Sequence, residues 1–252
     1  MAIAVRASSA TDAPLTASRR AAFVMGALYI ATFLTSIPAV LLYHPVLNDT
    51  HYILGAGPDT RVLLGAFLEV LLIMANIGTG LALFSVLRRQ HEGLAVGYVA
   101  ARVMECVFIG VGILSVLSIV TLRRHAAGAD PASLLVVGRA LVAVHDWTFL
   151  LGPGLCGLWN GLILGYLLYR SGLMPRRLTL LGLVGGPLIF CSGIAVLFGL
   201  YTQTSPVSGL VTVPEFVWEA SIGIWFVVQA LKPAEGVSMP AARAANELVH
   251  VG

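Results

Sequence analysis

The apolar positions of this chain come in six long blocks rather than in thin stripes. They run approximately from Ala21 to Tyr43, Val62 to Leu87, Leu94 to Val120, Trp147 to Tyr169, Leu178 to Tyr201 and Val211 to Leu231. Blocks of about 20 apolar residues match a hydrocarbon layer ~30 Å thick. Polar residues gather in the short links between them. The pattern predicts an all-α, polytopic protein with six transmembrane helices, embedded in the lipid bilayer. Residues 21–232 form the transmembrane domain. A leader (1–20) and a tail (233–252), both rich in Ala, Ser or Pro, are expected to be unstructured and cytoplasmic.

The stretch from Pro131 to Tyr169 breaks the rhythm, being too long for one span and too short for two. The expected solution is a short helix on the outer surface, capped by "DPAS" (130–133), that turns at His145 and Asp146 into the fourth span. Arg139 and Asp146 then share a face. Trp147 and Phe149 sit at headgroup level, and Pro153 falls early in the span, where its missing hydrogen bond costs least. On this reading "HDW" (145–147) lies at the outer rim.

Composition agrees with a membrane protein. The chain is 58% hydrophobic and 11% charged, against roughly 25% charged for a soluble domain. The net charge of +3 matters less than its distribution. Arg6, Arg19 and Arg20 precede the first span, Arg88 and Arg89 follow the second, Arg170, Arg176 and Arg177 the fourth, and Lys232 and Arg243 the sixth. Positive residues on alternate links predict an inner-membrane protein with both termini in the cytoplasm, although Arg123 and Arg124 run against the pattern. "SRRAAF" (18–23) has a twin-arginine look, but the apolar stretch after it is long and lacks a small-residue cleavage site, so it is expected to remain as an anchor. Nothing in the charge pattern suggests nucleic acid.

The deeper charges within the blocks are Glu69, Arg102, Glu105 and Glu219. Each costs about 2.5–3.5 kcal/mol at a helix centre. Arg102 and Glu105 are three apart on one face and can pair within their own span. Glu69 and Asn76 share a stripe with Gly65 and Gly80; Arg102 and Glu105 share one with Tyr98 and Gly112; Glu219 shares one with Glu215 and Gly223. Glycines allow close helix approach, so these stripes are expected to face one another. With Arg139, His145 and Asp146 above them, they make a polar column descending from the outer face. Two readings of the column stay open. One is an ion-pair and amide network, with Asn76 and Asn160, that fixes helix register; the other is a water-accessible pocket or relay.

No metal or cofactor is expected. No Glu-x-x-His or His-x-x-x-His pair lies on any span. His44, His51, His91, His125 and His250 fall in links or the tail, so haem has no facing axial pair. Cys106, Cys156 and Cys191 read as packing residues. Gly161 with Gly165, and Gly182 with Gly186, form GxxxG spacings that suit close packing or a homodimer.

Four stretches taken together, "LYIATFLTSIPAVLLY", "HYILGAGPDTRVLLGAFLEVLLIMANIGTG", "GYVAARVMECVFIGVGILS" and "GRALVAVHDWTFLLGPG", resemble the bacterial membrane-protein family catalogued as domain of unknown function 4386. The resemblance covers about Ala21 to Lys232 and implies a polytopic membrane protein, with no activity or ligand to transfer. Three functions remain. The first is binding or moving a small ligand or ion through the column. The second is a non-catalytic accessory or sensor role. The third is a membrane-embedded enzyme, with His145 as acid or base, Asp146 or Glu69 orienting it, and Arg139 or Arg102 holding an anionic headgroup. No nucleotide loop or serine nucleophile motif supports the third.

Overall fold

The structure, a computed structural model, describes residues 9–56, 58–125 and 127–232. The expected tail lies outside them, as do residues 1–8. Six helices long and apolar enough to cross a membrane make a multi-pass membrane protein. They are α1 (Ser9–Asn48), α2 (Thr60–Leu87), α3 (Glu92–Arg124), α4 (Pro131–Ser171), α5 (Arg176–Leu197) and α6 (Pro206–Leu231). Helix α1 already runs from Ser9, so residues 9–20, read from composition as an unstructured leader, are helical and continuous with the first span.

Local chemistry sets several ends. Asp130 and Ser205 accept the backbone N–H groups of Ser133 and Ser208, with Pro131 and Pro206 in the first turns that follow. Gly172 ends α4 at φ 67°, a left-handed position where a Cβ would be strained.

Sequence neighbours pack side by side, and α1 closes the ring against α6. The ring has two ends. One carries Arg19 of α1 and Lys232 after α6, and is called the terminal end below. The other carries the α1–α2, α3–α4 and α5–α6 links and is called the far end. Arg19 Nε donates to the Ala230 carbonyl at 3.0 Å, fastening α1 to α6 at the terminal end. Two apolar cores fill the ring. One, around Tyr29, Leu83, Tyr98, Leu167 and Trp218, lies toward the terminal end. The other, around Tyr43, Val62, Ile113, Val116 and Ile119, lies toward the far end.

The fourth span corrects the sequence reading. The chain does not turn at His145 and Asp146, and no separate surface helix forms: Pro131–Ser171 is one helix of 41 residues. The Gly152-Pro153-Gly154 break is absorbed by a π-helical stretch, Leu150–Cys156, and a second one spans Asn160–Leu164. The wider π turn makes room for the proline ring and its missing donor without ending the helix. At ~1.5 Å per residue α4 is roughly 60 Å long, about twice the hydrocarbon thickness, so it must tilt or project. It runs antiparallel to α3, with Ser115 donating to the Leu141 carbonyl and Gly152 seated over Phe108.

The GxxxG glycines are used inside the chain. A Cβ on Gly161 would lie 2.5 Å from the Gly182 carbonyl oxygen and 2.7 Å from Gly186 Cα, so α4 and α5 touch backbone to backbone.

Candidate functional site

Between the two apolar cores lies a polar layer built around Arg102. Its guanidinium is almost fully buried and donates four hydrogen bonds: Nε to Tyr98 at 3.3 Å, Nη1 to Glu105 at 2.9 Å, and Nη2 to both Tyr29 and Glu219 at 3.2 Å. That uses four of its five N–H groups. The Tyr29 and Tyr98 hydroxyls meet at 2.6 Å. Asn160 joins α4 to the layer by donating to Glu219 Oε1, and Asn76 joins α2 by donating to Glu105 at 3.3 Å. One guanidinium thereby ties α1, α3 and α6 together, with amides adding α2 and α4. Within a low-dielectric bundle this pairing offsets the cost of burying each ion.

Farther toward the far end, Tyr43 of α1 donates to Glu69 Oε2 at 2.8 Å. His145 of α4 lies beside this pair, its ring edge-on to Tyr43 at 5.7 Å between centroids. Glu69 and Asn76 are seven residues apart, so the Glu69–His145 level sits about 10 Å from the Arg102 level.

A cavity of about 280 Å³ joins the two levels. Glu69, Asn76, Arg102, Glu105, His145 and Glu219 all border it, and its opposite wall includes Phe33, Ile37, Val40, Phe149 and Phe216. Six of the eight residues singled out from sequence therefore share one space. The other two, Arg139 and Asp146, do not reach it. Both are exposed and border a smaller recess of about 160 Å³ with Tyr52, Ile53 and Ile119 at the far end. They share a face as expected, yet form no ion pair within 4.0 Å among the described residues.

His145 was expected at the rim and is instead 93% buried by its residue surface (7% exposed), because α4 stays helical and carries it down beside Gly112 of α3. Its side chain makes no hydrogen bond among the described residues. Nδ1 is enclosed, and its nearest carboxylate oxygen, on Asp146, stands 3.6 Å away. Glu219 sits deeper than Glu69: α6 starts at Pro206, ahead of the apolar block that begins near Val211, and Glu219 lies at the Arg102 level.

Two carboxylate oxygens are left over. Glu69 Oε1 and Glu219 Oε2 accept no protein hydrogen bond among the described residues and are not sealed by packing. Glu215 contrasts with them. Its carboxyl is enclosed against Gly185 of α5 with neither oxygen bonded, and it does not border the cavity.

Sequence reasoning missed Tyr29 and Tyr43, which anchor Arg102 and Glu69. The signal was present: two tyrosines in an apolar span, on one helical stripe with Thr32 and Ser36. Arg123 and Arg124, which ran against the charge pattern, have a structural role at the far end. Both donate to Asp59, and Arg123 also donates to the Gly55 carbonyl at 2.9 Å. Burial pulls the Asp59 carboxyl up, but hydrogen bonds from Arg124, Tyr52 and Arg123 outweigh it and hold the group below the usual carboxylate range. Among the described residues no group of three or more His, Cys, Asp or Glu side chains could hold a metal ion.

No curated protein and no solved structure matches the chain. The family described as Domain of unknown function (DUF4386) matches residues 24–230, nearly the whole helical bundle, and this protein belongs to that family.

Proposed function

We propose that the protein binds a small ligand in the cavity between the Arg102 and Glu69 levels. One observation carries the reading: a nine-tenths-buried histidine with no hydrogen bond and two unbonded carboxylate oxygens share one internal space. A purely structural network closes on itself, because an unsatisfied buried polar group costs about 1–3 kcal/mol. The Arg102 layer closes on itself except at Glu219 Oε2 and suits a register-fixing role, whereas the Glu69–His145 level leaves both the imidazole and Glu69 Oε1 without a partner among the described residues. Ionisable groups left open within a membrane bundle tend to mark ligand or ion sites, and the volume lies near the lower end of the ~300–1,000 Å³ found for small-molecule sites. The catalytic alternative gains no support, since His145 is not hydrogen-bonded to a carboxylate.

Both termini in the cytoplasm of a bacterial inner membrane is the orientation we infer. Arg19, Arg20, Arg88, Arg89, Arg170, Arg176, Arg177 and Lys232 cluster at the terminal end, whereas Arg123 and Arg124 at the far end are tied to Asp59.

The test of binding is native mass spectrometry on protein taken from its own membrane in mild detergent, with Ser36→Trp as the cavity-filling comparison. A bound mass in the wild type that Ser36→Trp lacks is the expected result. Wild-type protein that carries nothing, together with a Ser36→Trp variant that melts higher, would make the cavity a packing defect.

A further inference from the structure

Resting on the binding reading above, the chemistry of the cavity walls narrows the class of ligand. The charged groups with open valences are acceptors, set beside the Ser36 hydroxyl and the His145 ring, which can donate or accept. Three carboxyls border it against a single guanidinium, and that guanidinium already spends four of its N–H groups on Tyr29, Tyr98, Glu105 and Glu219. An anionic ligand would find no uncommitted cation. A ligand that brings donors, and a positive charge, would meet Glu69 Oε1 and Glu219 Oε2, the two oxygens that no protein donor reaches.

The opposite wall is of another kind. Ile37, Val40, Phe149 and Phe216 border the cavity, yet they are 46%, 49%, 43% and 49% exposed on the bundle surface. They therefore form a rim rather than a closed wall. The architecture explains the opening: α4 packs along α3 and reaches α1 at the His145–Tyr43 contact, while Phe33 of α1 packs edge-on against Phe216 of α6, ring centroids 5.0 Å apart. Between those two contacts the cavity looks sideways past apolar side chains, and the medium beside the apolar surface of a membrane span is lipid.

We propose that the cavity takes an amphipathic amine from the bilayer, its ammonium held at one of the two open carboxylates, Glu69 or Glu219, and its hydrocarbon chain lying through the gap bordered by Ile37, Val40, Phe149 and Phe216. The volume suits this division, because about 280 Å³ accommodates a headgroup and the first few carbons while the rest of the chain stays in lipid. His145, buried and without a hydrogen bond, adds a ring nitrogen to the same wall.

The experiment uses the full chain in phosphatidylcholine nanodiscs and measures saturable binding of tritiated dodecylamine, with dodecanol, dodecanoate and methylamine as competitors. One amine per chain is expected, with dodecanol at least 10-fold weaker and dodecanoate not competing (on the order of one ion-pair contribution). Methylamine should be weaker by more than about 100-fold, since each CH₂ removed from water contributes about fourfold. Of Glu69→Gln and Glu219→Gln, the one that removes the holding carboxylate should lower affinity about 10-fold or more, and no loss in either variant overturns the inference. Ile37→Trp, which narrows the gap and leaves the acceptors alone, should slow both association and release.

Each contrary result has its own meaning. Competition by dodecanoate, or by dodecanol as well as by the amine, overturns the cationic class. Methylamine binding as tightly as dodecylamine overturns the lateral route. No saturable dodecylamine binding overturns the inference altogether, while the binding reading itself falls only if the wild type also carries no co-purifying mass or one that Ser36→Trp leaves unchanged.

Discussion

Replacing Arg102 by Met should be among the most damaging single changes in the bundle, and the structure sets the size of the effect. Arg102 is 4% exposed and makes ion pairs of 2.9 Å and 3.2 Å with Glu105 and Glu219. Breaking a buried pair by removing one partner costs about 3–5 kcal/mol, because the other charge stays behind. Counting its four hydrogen bonds at about 1 kcal/mol each gives a similar figure, about 4 kcal/mol. At about 2–4 °C per kcal/mol for a chain of this size, Arg102→Met should melt roughly 8–16 °C below the wild type. The decisive comparison is the triple variant Arg102→Met, Glu105→Gln, Glu219→Gln. Exchanging a whole buried ionic group for neutral side chains is often close to neutral, so the triple should return to within about 2 kcal/mol of the wild type. Thermal unfolding in one detergent, followed by circular dichroism, reads both. A loss below about 1 kcal/mol for Arg102→Met would refute the reasoning, as would a triple variant no more stable than the single one.

Three further outcomes follow from the same structure. His145→Phe should change stability by less than about 1 kcal/mol in the same melt, because the imidazole makes no hydrogen bond and its edge contact with Tyr43 suits a phenyl ring; a loss comparable to that of Arg102→Met would mean that His145 has a partner. Gly161→Leu should cost about 3 kcal/mol or more, since the backbone of Gly182 and Gly186 cannot yield, whereas Gly110→Ala, with open space around it, should be neutral or gain up to about 1 kcal/mol. Asp59 supplies the pH test. Its folded-state carboxyl lies below the ordinary value, so its contribution is present above pH ~4 and is lost as pH falls through the folded value. Asp59→Asn should therefore melt lower than the wild type near neutrality by about 3 kcal/mol, and the gap should shrink in acid; a gap that stays constant down to pH ~2 would contradict the sign.

The six spans were legible because lipid imposes a length and a composition on each helix, and both are written locally in the chain. The pairing of Arg102 with Glu105 was legible for the same reason, being set by spacing on one helix. Partners across helices were less so. Glu219 could be placed on a stripe, but its pairing with Arg102 depends on where α6 begins, and Pro206 starts that helix in a region too polar to count as apolar block. The fourth span misled because Pro131 to Tyr169 is too long for one span of bilayer thickness, while the fold runs one 41-residue helix through it, widening into π turns at Gly152-Pro153-Gly154. That one difference carried His145 from the rim to the cavity and left Arg139 and Asp146 outside it. Tyr29 and Tyr43 were passed over because a tyrosine in an apolar run looks like bulk until a buried charge stands opposite its hydroxyl.

The central claim is that the space between Glu69, His145 and Glu219 holds a ligand. A density map of the protein in lipid nanodiscs, prepared without stripping the native membrane's small molecules, tests it most directly. The account predicts non-protein density within hydrogen-bonding distance of Glu69 Oε1 or Glu219 Oε2, extending toward Ile37 and Phe149. A collapsed space, with His145 bonded directly to Glu69 and no density between them, would contradict it.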